Sequence, residues 1–457
     1  MKKWIRASLL LTFLIGCALP AVAGGSRETA ASAAHFQGAA LVQPNSSDPV
    51  LARGLPQIHQ SGAVTVFTPW LTPKEKKAND AVKRLFNSYY PNVRLTYQYM
   101  SANNIQTVAS SRLVAGNPPL AVDGPTGMFM INFAREGALV DLTPLWKKYG
   151  LAKLFPEGIV QASEYHGKFY SIPIFIASHA YFWWNKRLFE KAGVPQPPYA
   201  TWSEFFSAAK LFTQRTHLPF VSIGMEPSTV PFELSVYLAA KRYGLGLAYR
   251  VLNGTATEND FRELLAFIHK YAQYAEPGAS SVDATFGPGD QVAAGQAATG
   301  VSGQWVLNAM VKQHLVAGKD YGRAYLPGPS ILYYNLGGVF VFKGNGKEDI
   351  GKAFAAVAAS RQGELLFSEK GAVPARYDAT LPKSFEPLIV STAKYAKKAT
   401  LLPIPNVAVP PEVQDAYGPE IVNFLIGQKS EQATAAKLFA IEKKYRSSFV
   451  LHWGPKG

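Results

Sequence analysis

Apolar positions recur with two different periods in the region that begins near residue 62. Short runs of β-branched or alternating apolar residues, as in Val64–Phe67 and Val93–Tyr99, indicate strands. Between them, Ala78, Val82 and Leu85 lie on one face at helical spacing. The predicted elements are strand 64–67, helix 75–89, strand 93–99, helix 105–115 and strand 120–122. This β-α-β-α-β order predicts the start of a parallel, doubly wound sheet.

The stretch Thr285–Trp305 combines a helix stop with a short apolar strand. Gly295 suits the left-handed residue that ends many helices, and residues 297–302 are mostly small or β-branched. Gly303 then allows a close turn, which brings Trp305 just beyond the strand. Because ligands of open α/β sheets bind beyond the carboxyl ends of the strands, Trp305 is a candidate wall for a sugar ring. The alternative is that Trp305 caps a hydrophobic core.

Five segments of the chain resemble extracytoplasmic solute-binding proteins, the receptors of ABC sugar importers. They occur in that family's order and are SRLVAGNPP at 111–119, WWNKRLFEKAGV at 183–194, TWSEF at 201–205, GQAATGVSGQW at 295–305 and KGAVPAR at 370–376. The chain looks most like the monosaccharide, glucose-type receptors of the maltose-binding-protein-like group.

The resemblance implies a periplasmic-binding-protein-like (type II) α/β fold, with two doubly wound α/β lobes joined by a multi-crossing hinge. The expected crossings are 167–173, 333–342 and 373–376. Lobe 1 would comprise 62–174 and 330–375, and lobe 2 would comprise 175–329 and 376–457. The resemblance also implies a monomeric substrate-binding protein without a cofactor, which binds a small solute in the interlobe cleft and delivers it to the membrane subunits of an ABC permease.

Carbohydrate sites combine aromatic faces with carboxylates, amides or basic groups that bond the hydroxyls. Trp70 and Glu75 lie in the connection after the first strand, which is similar to the family's loop there except that Pro69 replaces a Trp. With Trp305, Trp70 is expected to stack on the ligand. The further candidate ligand contacts are Asp123, Trp183, Glu226, Asn335 and Lys370. Structural roles compete with these, such as a core position for Trp183 or dipole pairing for Glu75.

The chain departs from the receptor pattern at several polar positions. Gly337 stands where relatives have an Asp, and residues 403–408 lack the His of their late loop. Together with Pro69, these changes put glucose itself in doubt, whereas the fold inference is unaffected. The alternatives are a polyol or an anionic solute such as glycerol phosphate, a periplasmic glycosidase or lyase, and a scaffold with a decayed cleft.

Composition narrows the function further. The chain has 457 residues, of which 48% are hydrophobic and 17% charged, as expected for a globular protein of two or three domains. Its formal charge of +15 would suit nucleic acid, but the Lys and Arg residues are scattered, so no nucleic-acid partner is predicted. The eight His residues show no metal-ligand spacing, and no nucleophile or phosphate-binding motif is present. We therefore predict a binding protein rather than an enzyme.

The N-terminus has the pattern of an export leader, which predicts a periplasmic protein or one on the extracytoplasmic face of the cell membrane. Residues 1–6 are basic, and 7–15 form an apolar core too short to span a bilayer. Either residues 1–23 are a signal peptide, or residues 1–16 are a lipoprotein leader and Cys17 is lipidated. Cys17 is the only cysteine. Residues 24–61 are predicted to be a flexible linker.

Overall fold

The computed structural model describes residues 47–226, 228–369 and 371–455. Its strands are β1 Gly62–Thr68, β2 Val93–Tyr99, β3 Ala121–Pro125, β4 Glu164–Tyr165, β5 Lys168–Phe169, β6 Ser171–Ser178, β7 Tyr181–Asn185, β8 Val221–Ser222, β9 Thr299–Ser302, β10 Tyr321–Ala324, β11 Ile331–Val341, β12 Val373–Pro374 and β13 Thr400–Pro403. The predicted leader, Cys17 and Lys370 lie outside the described residues.

Helices connect these strands and cover both faces of the sheets. They are α1 Pro49–Ala52, α2 Pro73–Tyr89, α3 Ala102–Val114, α4 Met128–Arg135, α5 Thr143–Tyr149, α6 Glu157–Gln161, α7 Lys186–Ala192, α8 Trp202–Thr216, α9 Thr229–Tyr243, α10 Leu245–Leu252, α11 Glu258–Ala272, α12 Gly287–Ala294, α13 Val306–Lys312, α14 Glu348–Ala358, α15 Arg361–Ser368, α16 Pro387–Ala396, α17 Pro405–Ala408, α18 Pro411–Leu425 and α19 Glu431–Tyr445.

The first sheet contains the predicted β-α-β-α-β start. Its strand order is β12-β6-β11-β3-β1-β2, and β13 pairs with β11 off this path. β1 is parallel to β2 and β3, whereas β11 is antiparallel to β3 and β6. The helical periodicity is confirmed, since Ala78, Val82 and Leu85 form part of the buried face of α2. We call the part of the chain around this sheet the first lobe.

The second sheet is smaller and has the order β10-β7-β9-β8. β8 runs parallel to β9, and β7 is antiparallel to β9 and β10. The predicted helix stop before β9 is confirmed, because α12 ends at Gly295 in the left-handed conformation with φ 72°. We call the part around this sheet, including the helices between β8 and β9, the second lobe. Two sheets linked by several crossings give the α/β fold expected from the sequence.

The first and third crossings between the sheets lie later in the chain than predicted, and the first, expected at 167–173, comes only after β6 has paired within the first sheet. The first crossing is short, since only His179 and Ala180 separate β6 of the first sheet from β7 of the second. The third crossing was expected at 373–376, but β12 and β13 both pair within the first sheet. The chain therefore returns to the second lobe after residue 403, where α18 and α19 pack on α9 and α11. The assignment of 376–403 to lobe 2 was wrong because Thr400–Pro403 extends the first sheet beside β11.

The flexible linker predicted for 24–61 includes residues at its C-terminal end that pack on the first lobe. Within its described part, Val50 is fully buried in α1. Asp48 accepts hydrogen bonds from Arg376 Nη1 at 3.2 Å and from the Arg361 backbone N–H at 2.5 Å. The Tyr90 hydroxyl donates to the Pro56 carbonyl at 2.6 Å. Residues 47–61 are thus held on the first lobe, because a buried ion pair and an apolar side chain anchor them.

Candidate functional site

A cavity of about 680 Å³ lies between the two lobes. From the first lobe it is lined by Gln106, Thr107 and Ser110 of α3, Pro125 at the end of β3, and Phe129 of α4. From the second lobe it is lined chiefly by Glu233 and Tyr237 of α9, by Thr285 and Ser302, and by Trp305. The crossing residues His179 and Tyr333 and the C-terminal Asn406, Gln414 and Asp415 complete the walls.

Trp305 lies where the sequence places it, directly after β9. Its indole Nε1 donates a hydrogen bond to the Thr285 carbonyl at 2.7 Å. The His179 ring meets it edge to face, with ring centroids 4.8 Å apart and planes at 80°. The side chain is half-buried and lines the cavity, so it is a wall residue rather than a fully enclosed core residue.

A cluster at the crossings joins the hinge to the second lobe. The His179 backbone N–H donates to the Tyr333 carbonyl at 2.9 Å, and the Tyr333 hydroxyl donates to the Glu233 carbonyl at 2.9 Å. His179 Nδ1 lies 3.6 Å from Glu233 Oε2. Burial, followed by the charge of Glu233, raises the pKa of Tyr333 well above its ordinary value, so this hydroxyl keeps its proton. The cluster therefore places the imidazole of His179 between the Glu233 carboxylate and the Trp305 ring.

These contacts surround a cavity at the interface of two α/β lobes, beyond the ends of β3 and β9, which is the usual position of a ligand site in such folds. Residues 81–400 match the family model described as "Bacterial extracellular solute-binding protein". The chain belongs to this family. That membership makes the cavity the candidate solute site of a solute-binding protein that acts outside the cytoplasm.

Curated relatives of this solute-binding protein cover most of it at modest identity. An "Uncharacterized ABC transporter extracellular-binding protein" of Pyrococcus horikoshii is 24% identical over 396 residues, which are 83% of this chain and 87% of the relative. A "Probable sugar-binding periplasmic protein" of Rhizobium meliloti is 27% identical over 278 residues, or 60% of this chain and 66% of the relative.

Solved structures share the fold. A chitin oligosaccharide binding protein superposes with a TM-score of 0.72 at 19% identity, covering 85% of this chain and 99% of that one. The GacH receptor of Streptomyces glaucescens superposes with a TM-score of 0.67 at 20% identity, covering 85% of this chain and all of that one. At such identities these likenesses establish the fold, as the sequence predicted.

Three first-lobe candidates do not line the cavity. Trp70 packs on Phe175, with ring centroids 5.0 Å apart, and its Nε1 donates to Asp123 Oδ1 at 2.9 Å. Asp123 is fully buried in β3. The Glu75 carboxylate accepts a hydrogen bond from the Thr72 N–H at 2.8 Å and closes the capping box of α2. The structure brings Trp70 and Asp123 together, but as partners of each other beside the cavity rather than in its wall.

Trp183 belongs to the core. It is fully buried in β7, and its Nε1 donates to the Ser302 carbonyl at 3.1 Å. Its ring contacts Tyr181 and Tyr321. The prediction that Trp183 contacts ligand is therefore wrong, because the strand directs its side chain into the packing of the second sheet, as the structural alternative expected.

Asn335 and Glu226 differ in exposure. Asn335 follows Tyr333 by two positions in β11 and so lies on the same face of that strand; it is 8% exposed. Its Oδ1 is buried and has no hydrogen-bond partner among the described residues, and Asn335 is not one of the residues that line the cavity. Glu226 is exposed, and its backbone pairs with the segment around Asp283 beside the cavity. The ligand contact of Asn335 stays a prediction, and both Asn335 and Glu226 lie outside the wall of the cavity.

Several lining residues were missed by sequence reasoning. Gln106 and Ser110 are four residues apart on α3, and this polar helical face following β2 is the signal that would have found them. His179 and Glu233 had no local motif, because the fold brings them together from a crossing and a distant helix. Tyr333 was placed in a crossing strand, but its side-chain direction depends on the register of β11.

The charge of the cavity is opposite to that of the chain. Glu233 and Asp415 contribute carboxylates, and none of the described lining residues is Lys or Arg. Burial, together with the charge of Glu412, raises the pKa of Asp415.

The described residues contain no group of His, Cys, Asp or Glu arranged to hold a metal ion. No helix in the same described ranges has the length and apolar character needed to cross a bilayer.

Proposed function

We propose that this solute-binding protein is the substrate-binding component of an ABC importer and binds a sugar in the cavity between its lobes. The observation that carries the proposal is one cavity wall that contains both Trp305 and the Glu233 carboxylate, each of which contacts His179. Relatives named as sugar-binding and as ABC transporter extracellular-binding proteins support the substrate class and the transporter. A chitin oligosaccharide binding protein of the same fold adds support for a carbohydrate.

Sugar chemistry suits this wall. A sugar ring has an apolar side, which stacks on an aromatic face, and a rim of hydroxyls, which hydrogen-bond to carboxylates and amides. Trp305 offers the first group, and Glu233, Gln106 and Asn406 offer the second. Their convergence in one enclosed site supports binding by stacking and hydrogen bonding together.

A neutral ligand fits the charges better than an anionic one. A phosphate or carboxylate in the cavity would lose water and face Glu233 and Asp415, without a Lys or Arg among the described lining residues to pair with it. The anionic alternative, such as glycerol phosphate, is therefore disfavoured. A neutral sugar has no such desolvation cost.

The cavity volume favours more than one sugar ring. The 680 Å³ cavity lies in the upper half of the range of about 300–1,000 Å³ that is usual for small-molecule sites. A cavity of this size has room for more than one sugar ring. We therefore propose a disaccharide or short oligosaccharide in preference to a monosaccharide.

The remaining parts of the proposal concern partners and location. The receptor acts as a monomer at the extracytoplasmic face of the membrane and delivers its ligand to the permease subunits. Either leader interpretation is compatible with this, and replacing Cys17 by Ser distinguishes them. If Cys17 is lipidated, Cys17→Ser releases the protein from the membrane fraction or blocks processing. Unchanged partition and cleavage after Ala23 would contradict lipidation.

A glycosidase is the second candidate, because two carboxylates line the cavity. Glycosidases place an acid and a second carboxylate on either side of the scissile bond. Glu233, however, is paired with His179 at 3.6 Å, and Asp415 lies on an exposed position of α18. We propose binding without turnover. Incubation with oligosaccharides, followed by product analysis, should give intact sugar; hydrolysis that is lost in Glu233→Gln would favour the enzyme.

The direct test is a thermal-shift screen of the purified protein against neutral, anionic and cationic sugars and polyols. A ligand that binds only the folded state raises its melting temperature. We expect a shift with a neutral di- or oligosaccharide in the wild type and a reduced shift in Trp305→Ala. A shift with glycerol phosphodiesters alone would replace the sugar by an anionic solute, and no shift with any carbohydrate would contradict the proposal.

A further inference from the structure

Trp305 borders two spaces rather than one. Its inner side lines the cavity, and it also lines an open groove between the start of α2 in the first lobe and α12–α13 in the second. We call this the outer groove; Lys74, Lys77, Phe286, Asp290 and Asn308 are among its residues. The position of the indole ring therefore decides where the inner cavity ends.

The ring is held from three directions. Its Nε1 is bound to the Thr285 carbonyl, and the His179 ring packs against it. On the third side the benzene part of the indole lies against Gly303. A methyl carbon built on Gly303 would overlap Cζ3, Cη2 and Cε3 of Trp305, far inside the 3.0 Å that real Cβ atoms keep from other heavy atoms. The ring occupies the space where any other residue would carry its side chain.

Gly303 is needed for space and not for an unusual backbone. Its φ is outside the positive range that favours glycine. An alanine can therefore adopt the same backbone, and the neighbour that its methyl group strikes is the Trp305 ring. The other polar and aromatic contacts of the ring are a hydrogen bond and edge-to-face contacts with His179 and Phe286, and neither of these two rings stacks on its face. The ring therefore has to move when the methyl group is added.

A similar contact elsewhere has a different consequence. A methyl carbon on Gly322 of β10 would overlap Cζ2 of Trp184, which is 7% exposed. Gly322 also lacks a positive φ, and neither it nor Trp184 lines the cavity. The two glycines therefore form a matched pair, one against a wall tryptophan and the other against a core tryptophan.

We propose that Gly303 is a positioning residue for ligand binding: it holds the Trp305 ring at the boundary between the inner cavity and the outer groove. The proposal rests on the proposed function, in which Trp305 is the stacking wall. Ligand affinity then depends on Gly303 only through Trp305. Substitution of Gly303 displaces the ring without removing any group that contacts the ligand.

The test is a double-mutant cycle with Gly303→Ala, Trp305→Ala and the double variant, and with Gly322→Ala as control. The probes are maltooligosaccharides, chitooligosaccharides and xylooligosaccharides of increasing length, titrated by calorimetry. We expect Gly303→Ala to weaken sugar binding about tenfold when Trp305 is present. In the Trp305→Ala background, the same substitution should not change the affinity. Gly322→Ala should lower the melting temperature and leave affinity unchanged. Equal loss of affinity from Gly303→Ala in both backgrounds, or wild-type affinity in Gly303→Ala, would overturn the proposal.

A ligand-free measurement separates this inference from the proposed function. The emission of Trp305 is obtained as the difference between each protein and its Trp305→Phe counterpart, and it is quenched with acrylamide. We expect Gly303→Ala to change the quenching of Trp305 by at least about twofold and to have no effect in Trp305→Phe. Unchanged quenching of Trp305 overturns the positioning role even if sugars bind. If Gly303→Ala changes the quenching of Trp305 but no sugar binds to the wild-type protein, the displacement of the ring is upheld and the sugar function is rejected. The proposed effect of Gly303 on ligand affinity is then rejected as well.

Discussion

The two walls of the cavity differ in how they are built. The second-lobe wall presents a large aromatic ring, Trp305, which contacts the His179 imidazole, and this imidazole in turn lies beside the Glu233 carboxylate. The first-lobe wall presents chiefly the polar side chains Gln106, Thr107 and Ser110 of α3, with Pro125 and the largely buried Phe129 beside them. One wall thus offers area for stacking, and the other offers hydrogen bonds from a rigid helix. The difference indicates that affinity depends chiefly on the second lobe, while the first lobe completes the enclosure.

The substitution with the largest expected effect is that of Trp183, in the core of the second lobe. Replacing this fully buried side chain by Ala should lower the free energy of unfolding by about 3–5 kcal/mol, because the core cannot close the space left behind. Chemical denaturation measures the loss, and calorimetry should show unchanged affinity in the folded fraction. If Trp183→Ala abolishes binding in a protein of normal stability, Trp183 is a wall residue and the core assignment is wrong.

The next largest effect is expected on sugar affinity, when the charge of the second-lobe wall is removed. Glu233→Gln should weaken sugar binding by about 1–1.5 kcal/mol, which is the difference between a hydrogen bond to a charged acceptor and one to an amide. The matched control is Glu226→Gln, the same change at an exposed position outside the wall. Equal affinity of the two variants would mean that the Glu233 carboxylate does not contact the ligand.

The first-lobe wall should respond more weakly. Gln106→Ala removes one neutral hydrogen-bonding side chain, which is worth about 0.5–1.5 kcal/mol of affinity. Asn104→Ala, at an exposed position of the same helix, controls for any change in α3 itself. A larger loss in Gln106→Ala than in Glu233→Gln would reverse the ranking of the two walls.

A separate effect, on stability rather than on affinity, is a pH dependence of the second lobe, away from the cavity. Burial raises the pKa of Glu442 from 4.5 to about 7, although hydrogen bonding to Arg446 opposes this. Because the folded state binds this proton more tightly, the contribution to stability is fully present below pH 4.5 and is lost as pH rises through about 7. Glu442→Gln should flatten this part of the stability profile, and Glu431→Gln, an exposed control on α19, should not. An unchanged slope in Glu442→Gln would contradict the shift.

Sequence patterns predicted the fold and one wall residue for the same reason. The periodicities that define β1, α2, β2 and β9 are local, and Trp305 follows β9 closely enough for its position to be inherited from the strand. The helix stop at Gly295 and the strand after it were likewise properties of neighbouring residues. Where the position of a residue depends only on its neighbours in the chain, the sequence is sufficient to predict it.

The same reasoning failed where a residue's direction depends on partners distant in sequence. Trp70 also follows a strand, but its indole is bonded to Asp123, which is 53 residues away. Trp183 lies in a strand whose inner and outer faces are decided by the pairing with β9 and β10. The third crossing was misplaced because β13 joins the first sheet through β11, a pairing that has no signature in the short run 400–403.

The measurement that tests the account most directly is a pair of values for Trp305→Ala, the affinity for the sugar found by thermal shift and the unfolding midpoint without ligand. A stacking wall residue that is half-buried should lose about 1–3 kcal/mol of affinity, roughly ten- to a hundredfold, with a much smaller change in midpoint. A midpoint that falls as far as in Trp183→Ala, with affinity unchanged, would contradict the account and make Trp305 part of the core.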